Sequence, residues 1–322
     1  MKQSTVFSLM MLLCVFHLTC QAQSELRIGL IGLDTSHALA FTRLLNDSTN
    51  DHFMPNARVV CAYPGGSPDV EASHTRVERF TERVAEYGVD IVQDIPSLVE
   101  NVDAMILTSV DGRVHLEQVK PVIAAGKPVY IDKPMAASLA DVQEIFRLAN
   151  EANVPCFSAS SLRFYSELQN ALQDPSLGAL IGCDAYSPAH LEPHHPDLMW
   201  YGVHGVEILF AAMGAECHTV NRTATEGTDV VVGTWNDGRI GTFRGIRQGK
   251  GGYGAMLFFE NGIRHVEPET GMLYVHLTRE ILKFFRTGDS PVPQEETIAM
   301  FSFMEAADKS KAADGATIDL ER

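Results

Sequence analysis

From residue 26 to 153, short apolar runs alternate with amphipathic stretches, the rhythm of a parallel sheet with helices on both faces. Strands are predicted at 26–31, 58–62, 89–92, 104–107 and 128–131. Val114, Val119, Val122 and Ile123 share one face of a predicted helix over 113–125, which Gly126 ends. Ser138 followed by Asp141 reads as an N-cap with an acid in the first turn, opening a helix to about residue 153.

Beyond Val154 the rhythm changes. After a helix near 165–172, β-rich runs at 180–186, 217–223, 230–235, 240–246 and 256–259 are divided by turn signals such as Asn236-Asp237-Gly238. Consecutive strands with hairpin turns predict a mainly antiparallel sheet, with a helix over 201–213 against it. Helices over 273–286 and 294–313 close the chain. The expected fold class is α/β: a doubly wound parallel sheet over 23–153, then an α+β domain on an open, mainly antiparallel sheet over 154–322.

Residues 1–22 follow neither period. One lysine, Lys2, precedes an apolar run over 6–18, and Cys20-Gln21-Ala22 puts small residues three and one before a cut. This is the layout of a cleaved secretory signal, and the run is too short to favour a membrane span. A lipoprotein cleavage site at Leu18-Thr19-Cys20 is the alternative, which Thr19 and His17 fit poorly. The expected mature chain begins near Gln23, has no transmembrane segment and is exported to a periplasmic or extracellular location. Any cofactor would then be met outside the cytoplasm, since no arginine pair precedes the apolar run.

Removing Lys2 takes the formal net charge from −16 to −17. That balance argues against nucleic acid and anionic membrane as partners and leaves small neutral molecules. Cys61, Cys156, Cys183 and Cys217 are widely spaced, three of them in apolar runs, so buried free thiols are expected rather than a disulfide framework. No CxxC metal pattern occurs.

The chemistry concentrates in three places. Val129-Tyr130-Ile131-Asp132-Lys133-Pro134 is an apolar strand ending in an acid, a lysine and a proline, which puts an ammonium at the carboxyl edge of a parallel sheet, where such folds bind ligands. The first strand runs into Gly32-Leu33-Asp34-Thr35-Ser36-His37, a candidate phosphate turn. His190-Leu191-Glu192-Pro193-His194-His195-Pro196-Asp197 gathers imidazoles and carboxylates ahead of His204. That segment could line a substrate site or hold a transition metal, but its spacing matches no standard metal motif, so no metal ligand is assigned.

The stretch Val102-Asp103-Ala104 through His115, then Ala125-Gly126-Lys127 to Asp132-Lys133-Pro134, resembles the glucose-fructose oxidoreductase and inositol dehydrogenase family, Gfo/Idh/MocA. Tyr201-Gly202-Val203-His204-Gly205 and Glu305-Ala306-Ala307-Asp308-Lys309-Ser310 are similar to it as well. The resemblance implies an N-terminal Rossmann domain for NAD or NADP and a C-terminal sheet whose face holds a sugar or cyclitol. It implies catalytic roles for Lys133 and His204 and a cis bond before Pro134. It implies cofactor contacts from Gly32, Asp34, Thr35, Ser36, His37, Ser109, His115, Asp132 and Lys133. Arg163, Trp200, Tyr201 and His204 would face the substrate. A homo-oligomer is a further implication.

Three departures from that family stand out. Asp34 and His37 occupy the second and third glycine positions of the dinucleotide turn, where a carboxylate would repel a pyrophosphate unless it turns away; Asp34 and Ser36 are otherwise expected to cap the next helix. After the second strand, Ala62-Tyr63-Pro64-Gly65-Gly66-Ser67 offers no acid for ribose hydroxyls before Asp69. Four residues before His204, where many relatives have an orienting aspartate, stands Trp200; Asp197 and Glu207 are the alternatives. Two function classes remain: an NAD(P)-dependent oxidoreductase acting on a sugar, cyclitol or glycoside hydroxyl, or a non-redox carbohydrate-binding or metal-dependent lyase or isomerase on the same fold.

Overall fold

The computed structural model describes residues 24–269 and 271–321, and the expected signal segment lies outside them. Strands β1 (Leu26–Ile31), β2 (Ala57–Tyr63), β3 (Asp90–Ile91), β4 (Ala104–Leu107), β5 (Val129–Asp132) and β6 (Cys156–Ala159) form one sheet in the order β3-β2-β1-β4-β5-β6. Every pairing in it is parallel. Helices α1 (Ser36–Asn46), α2 (Glu71–His74), α3 (Val77–Ala85), α4 (Ile95–Val99), α5 (His115–Ala124) and α6 (Leu139–Glu151) connect the strands. Cover on both faces explains why β4, Ala-Met-Ile-Leu, is buried at all four positions. Strand order reverses at β1, so the carboxyl ends of β1 and β4 diverge there and open a crevice.

The sheet takes its sixth strand from Cys156–Ala159 and so runs past residue 153, where the sequence rhythm changes. Ser138 is the N-cap of α6, its hydroxyl accepting from Asp141 N at 3.0 Å. The four described cysteines are free thiols.

The second unit contains α7 (Ser166–Gln173), α8 (Asp197–Trp200), α9 (Val203–Met213), α10 (Leu273–Thr287) and α11 (Gln294–Ala312). Its strands are β7 (Leu180–Pro188), β8 (Cys217–Ala224), β9 (Thr228–Trp235), β10 (Ile240–Ile246), β11 (Gly254–Phe259), β12 (Gly262–Val266) and β13 (Ile318–Asp319). They pair in the order β12-β11-β7-β10-β9-β8-β13, antiparallel except for the parallel β7–β10 pair. The mixed character follows from connectivity: β7 is followed by α8 and α9 rather than by a hairpin, which leaves it free to pair in parallel with β10.

Helix α9 is apolar on nearly all sides because it lies between the sheet and α11. The short helix α8 ahead of it is anchored by a buried ion cluster. Arg222 on β8, its side chain fully buried, bonds Asp229 on β9, Asp197 at the head of α8 and Asp308 on α11. Helix α10 returns to the first unit, where Phe284 packs on Phe157 and Tyr274 on Phe41. Each buried aromatic of this kind contributes roughly 1.5–3 kcal/mol. The crevice at β1, β4 and β5 is thereby walled by α9 and α10.

Candidate active site

The turn after β1 is shaped by close backbone approach. Gly32 has φ +86°, and a Cβ there would lie 2.2 Å from Ser109 N, so only glycine fits between the turns after β1 and β4. Gly32 N and Leu33 N donate to Tyr63 O (2.9 Å) and Pro64 O (2.7 Å), extending the pairing of β1 with β2. Asp34 has no exposed surface, and its carboxylate accepts from Ser73 Oγ at 2.6 Å and from Val110 N at 2.9 Å. Burial raises its pKa, against the lowering effect of those two bonds. Ser67 Oγ donates to Asp111 at 2.6 Å, and Arg113 pairs with both Asp111 and Asp69. The segment after β2 is thus stitched to the turns after β1 and β4.

These bonds correct the capping expectation. Thr35 caps α1, its hydroxyl accepting from His37 N at 3.4 Å, while Ser36 is exposed and Asp34 bonds elsewhere. A carboxylate already held by Ser73 and Val110 cannot reach back to the helix.

At the end of β5, Lys133 is partly buried, and its peptide bond to Pro134 is cis. Burial lowers the ammonium pKa, Asp132 opposes that, and nearby Arg76 adds to it. Lys133 Nζ stands 5.8 Å from the Tyr201 ring centroid. The Tyr201 ring meets His204 edge-on at 5.1 Å, and Tyr253 meets His204 at 5.8 Å from another side. The Tyr201 and Tyr253 hydroxyls lie 3.0 Å apart. His204 is 7 % exposed, and its Nδ1 lies 2.8 Å from the buried Ser160 hydroxyl. Burial first, then the charges of Lys133 and His37, push its pKa well below the usual imidazole value, so the ring is neutral at neutral pH.

His37 and Asp132 complete the wall, with His37 Nδ1 2.5 Å from Asp132 Oδ2. Tyr130 donates to Asp132 Oδ1 at 2.9 Å, and Tyr274 on α10 meets the His37 ring at 5.0 Å. An ammonium, a neutral imidazole and a carboxylate-bound imidazole therefore converge among tyrosines. Such a set can bind a polyhydroxylated molecule, stabilise an oxyanion and move protons.

Other expected site residues are placed differently. Arg163 bonds Glu207 at 2.6 Å and Glu296 at 2.5 Å and is almost fully buried, so its guanidinium ties the turn after β6 to α9 and α11. Glu207 is thereby taken from His204, and Asp197 is taken by Arg222 and Lys311; the orienting partner of His204 is Ser160. Trp200 packs on His195 at 5.3 Å, while Tyr201 and Tyr253 form the aromatic wall. His115 is buried with its ring nitrogens 3.1 Å from Met135 O and 2.7 Å from Ser109 O, bracing the turn after β4 rather than facing a ligand. Ser109 Oγ donates to Gln118. In the loop 190–197, His194 bonds Glu192 and His195 is buried with Nε2 unpartnered. Among the described residues no group of three potential metal ligands is assembled.

Sequence reasoning missed Ser160, Tyr253 and Tyr274. Ser160 had one signal: it follows β6 directly, at the same sheet edge as Lys133. Tyr253 and Tyr274 come from a glycine-rich turn and a distant helix, so only tertiary packing brings them in.

Fold and site together define a two-unit α/β protein with a ligand crevice at the carboxyl edge of a Rossmann-type sheet. Residues 26–160 match the model of the Gfo/Idh/MocA oxidoreductase family, NAD-binding Rossmann fold. The chain is similar to inositol 2-dehydrogenase of Klebsiella pneumoniae, 28 % identical over 166 residues, 48 % of this chain and 43 % of that protein. It is also similar to 1,5-anhydro-D-fructose reductase of Ensifer adhaerens, 28 % identical over 134 residues and 40 % of each chain. The matched stretch spans about two fifths of the length of these relatives. The fold is similar to that of scyllo-inositol dehydrogenase from Lactobacillus casei, solved with NAD(H) and scyllo-inositol: TM-score 0.74 at 13 % identity, over 92 % of this chain and 99 % of that one.

The residues fit a dinucleotide unevenly. Lys133 at the sheet edge, Gly32 against Ser109, and the N-terminus of α1 suit one. The Asp34 carboxylate, bridging the segments after β2 and β4, stands at the glycine position that lets a pyrophosphate approach. Where relatives carry a glycine, this chain carries a buried carboxylate turned toward Ser73 and Val110.

Proposed function

We propose that this protein is an NAD(P)-dependent oxidoreductase that acts on a secondary hydroxyl of a cyclitol or sugar. The observation that carries this reading is the pairing of Lys133 and neutral His204 on one crevice wall, beside the Tyr201–Tyr253 pair. Gly32, Thr35, Ser36 and Ser109 would hold the dinucleotide phosphates and Lys133 its nicotinamide end. Bound nicotinamide supplies the hydride acceptor. His204, kept neutral, takes the hydroxyl proton while Ser160 fixes its ring. The Lys133 ammonium stabilises the developing alkoxide. Tyr201 and Tyr253 offer phenol edges and hydroxyls to a polyol. The kinship of the family region to inositol and anhydrofructose enzymes supports this substrate class.

The test is titration of the purified protein with NAD and NADP, followed by myo-inositol, scyllo-inositol and 1,5-anhydrofructose while NAD(P)H absorbance is recorded. Binding at millimolar dinucleotide or below and turnover of one polyol support the reading; neither binding nor turnover would remove it. The Asp34 bridge favours a second reading, a non-redox lyase or isomerase on the same fold.

Residues 1–22 are read as an export signal cleaved near Gln23, on the strength of their apolar run and small residues. Mass spectrometry of the mature N-terminus checks it. Ile181, Ile240 and Ile263, each more than half exposed on β-strands or their ends, support a homo-oligomer through the second sheet.

A further inference from the structure

The oxidoreductase reading uses one proton-transfer group, His204, and leaves a second imidazole without a task. His37 stands at the third glycine position of the dinucleotide turn, as the second residue of α1. Asp132 Oδ2 holds its Nδ1 at 2.5 Å, and the other carboxylate oxygen is held by the Tyr130 hydroxyl. Burial would raise the Asp132 pKa, but His37, Lys133 and Tyr130 outweigh it and keep the carboxyl below its usual range. With Asp132 ionised, Nδ1 donates to it, and Nε2 is the ring nitrogen left open to exchange a proton with a ligand. The His37 side chain is 14 % exposed, and among the described residues no group bonds its Nε2. Tyr274 sets the tilt of the ring.

A purely structural tie between α1 and β5 would not need this arrangement. Phe41 on α1 already packs edge-on against Tyr130 on β5. A carboxylate held on both oxygens behind an imidazole with an open edge is the geometry of an oriented acid–base pair. Lys133 follows Asp132 directly, and both Lys133 and His37 lie near enough to act electrostatically on His204. Two imidazoles thus attend one ammonium.

We propose that His37, positioned by Asp132, is a second proton-transfer residue of this site, and that with Lys133 and His204 it isomerises a keto sugar or keto cyclitol without nucleotide. The proposal rests on the sugar or cyclitol substrate class put forward above. His37 Nε2 takes the proton from the hydroxyl-bearing carbon beside the carbonyl. That C–H bond breaks, and its electron pair forms the carbon–carbon double bond of an enediolate. The carbonyl π pair moves onto oxygen, facing the Lys133 ammonium. His204 carries the proton of the neighbouring hydroxyl to that oxygen. His37 then returns its proton to the former carbonyl carbon, and the new carbonyl stands one carbon along. No electron leaves the substrate, so no oxidant is required.

The test uses nucleotide-free protein, 2-keto-myo-inositol as probe and D2O as solvent, with deuterium at carbon followed by NMR. The wild-type protein is expected to exchange at least about 100-fold faster than buffer. His37→Gln should lower that rate about 100-fold while calorimetric binding of the probe persists. Asp132→Asn, which reverses the hydrogen bond to Nδ1, should lower the rate with binding likewise retained. Thermal unfolding confirms that each variant is folded, with His37→Asn as the substitute if His37→Gln is not. Exchange at the buffer rate in the wild type, or undiminished exchange in the His37 variant, would overturn the proposal. NAD(P)H formation from myo-inositol is measured in parallel. Reduction without exchange removes only the isomerase step; exchange without reduction removes only the oxidoreductase reading.

Discussion

The Asp34 carboxylate accepts a hydrogen bond from Ser73 Oγ at 2.6 Å, which ties the turn after β1 to α2 across the place where a dinucleotide phosphate approaches the backbone. The same carboxylate holds Val110 N, so one side chain joins the turn after β1 to α2 and to the turn after β4.

Removing this bridge should ease dinucleotide binding and loosen the fold. Asp34→Gly restores the small residue that lets a phosphate approach, and NAD affinity should rise about tenfold, equivalent to about 1.4 kcal/mol. Two buried hydrogen bonds are lost, so stability should fall by roughly 1–3 kcal/mol. Ser73→Ala keeps the carboxylate and should gain less affinity. Calorimetric titration with NAD and urea unfolding of the three proteins check this; equal affinity in all three would show that Asp34 does not gate the site.

His204 depends on Ser160 for its orientation, since neither Asp197 nor Glu207 reaches it. Ser160→Ala should lower kcat by about tenfold with little change in KM, because it disorders the base without removing a substrate contact. His204→Gln should cost about 100-fold or more. Steady-state kinetics with the polyol that proves active measures both; a KM effect alone in Ser160→Ala would mean that Ser160 binds substrate.

Much of the scaffold was legible before folding, because burial dictates period. β1, β4 and β10 lie where the apolar runs placed them, and Ser138 caps α6 as its sequence signal predicts. What escaped was the partner choice of polar residues. Arg163 sits near the crevice in sequence logic, yet two glutamates from α9 and α11 claim it. No local pattern announces that, since Glu207 and Glu296 are 44 and 133 residues away. Asp34 is the same lesson in reverse: its sequence neighbours suggested a cap, but Ser73, 39 residues on, holds it.

Arg163 therefore yields a stability prediction. Arg163→Ala would leave Glu207 buried without its counter-charge, and burial already raises that carboxyl above its usual range against the pull of Arg163. The expected loss is about 3–5 kcal/mol. Arg163→Ala with Glu207→Gln should recover part of it. Denaturant unfolding decides: a near-neutral single variant would return Arg163 to the candidate substrate contacts.

His195 supplies the pH test. Burial depresses its pKa from the ordinary imidazole value to about 4, opposed only weakly by Pro196 O and Asp111. The unfolded chain therefore binds a proton more readily than the folded one between that value and about 6.5. Stability from keeping this ring neutral is fully present above about pH 6.5 and is lost as pH falls toward 4, about 3 kcal/mol in all. His195→Leu removes the titrating group, so the stability gap between it and the wild type should shift in favour of the variant as pH drops from 7.5 to 5. Urea unfolding of both proteins at the two pH values measures that shift, and parallel pH dependences would show that His195 titrates alike in both states.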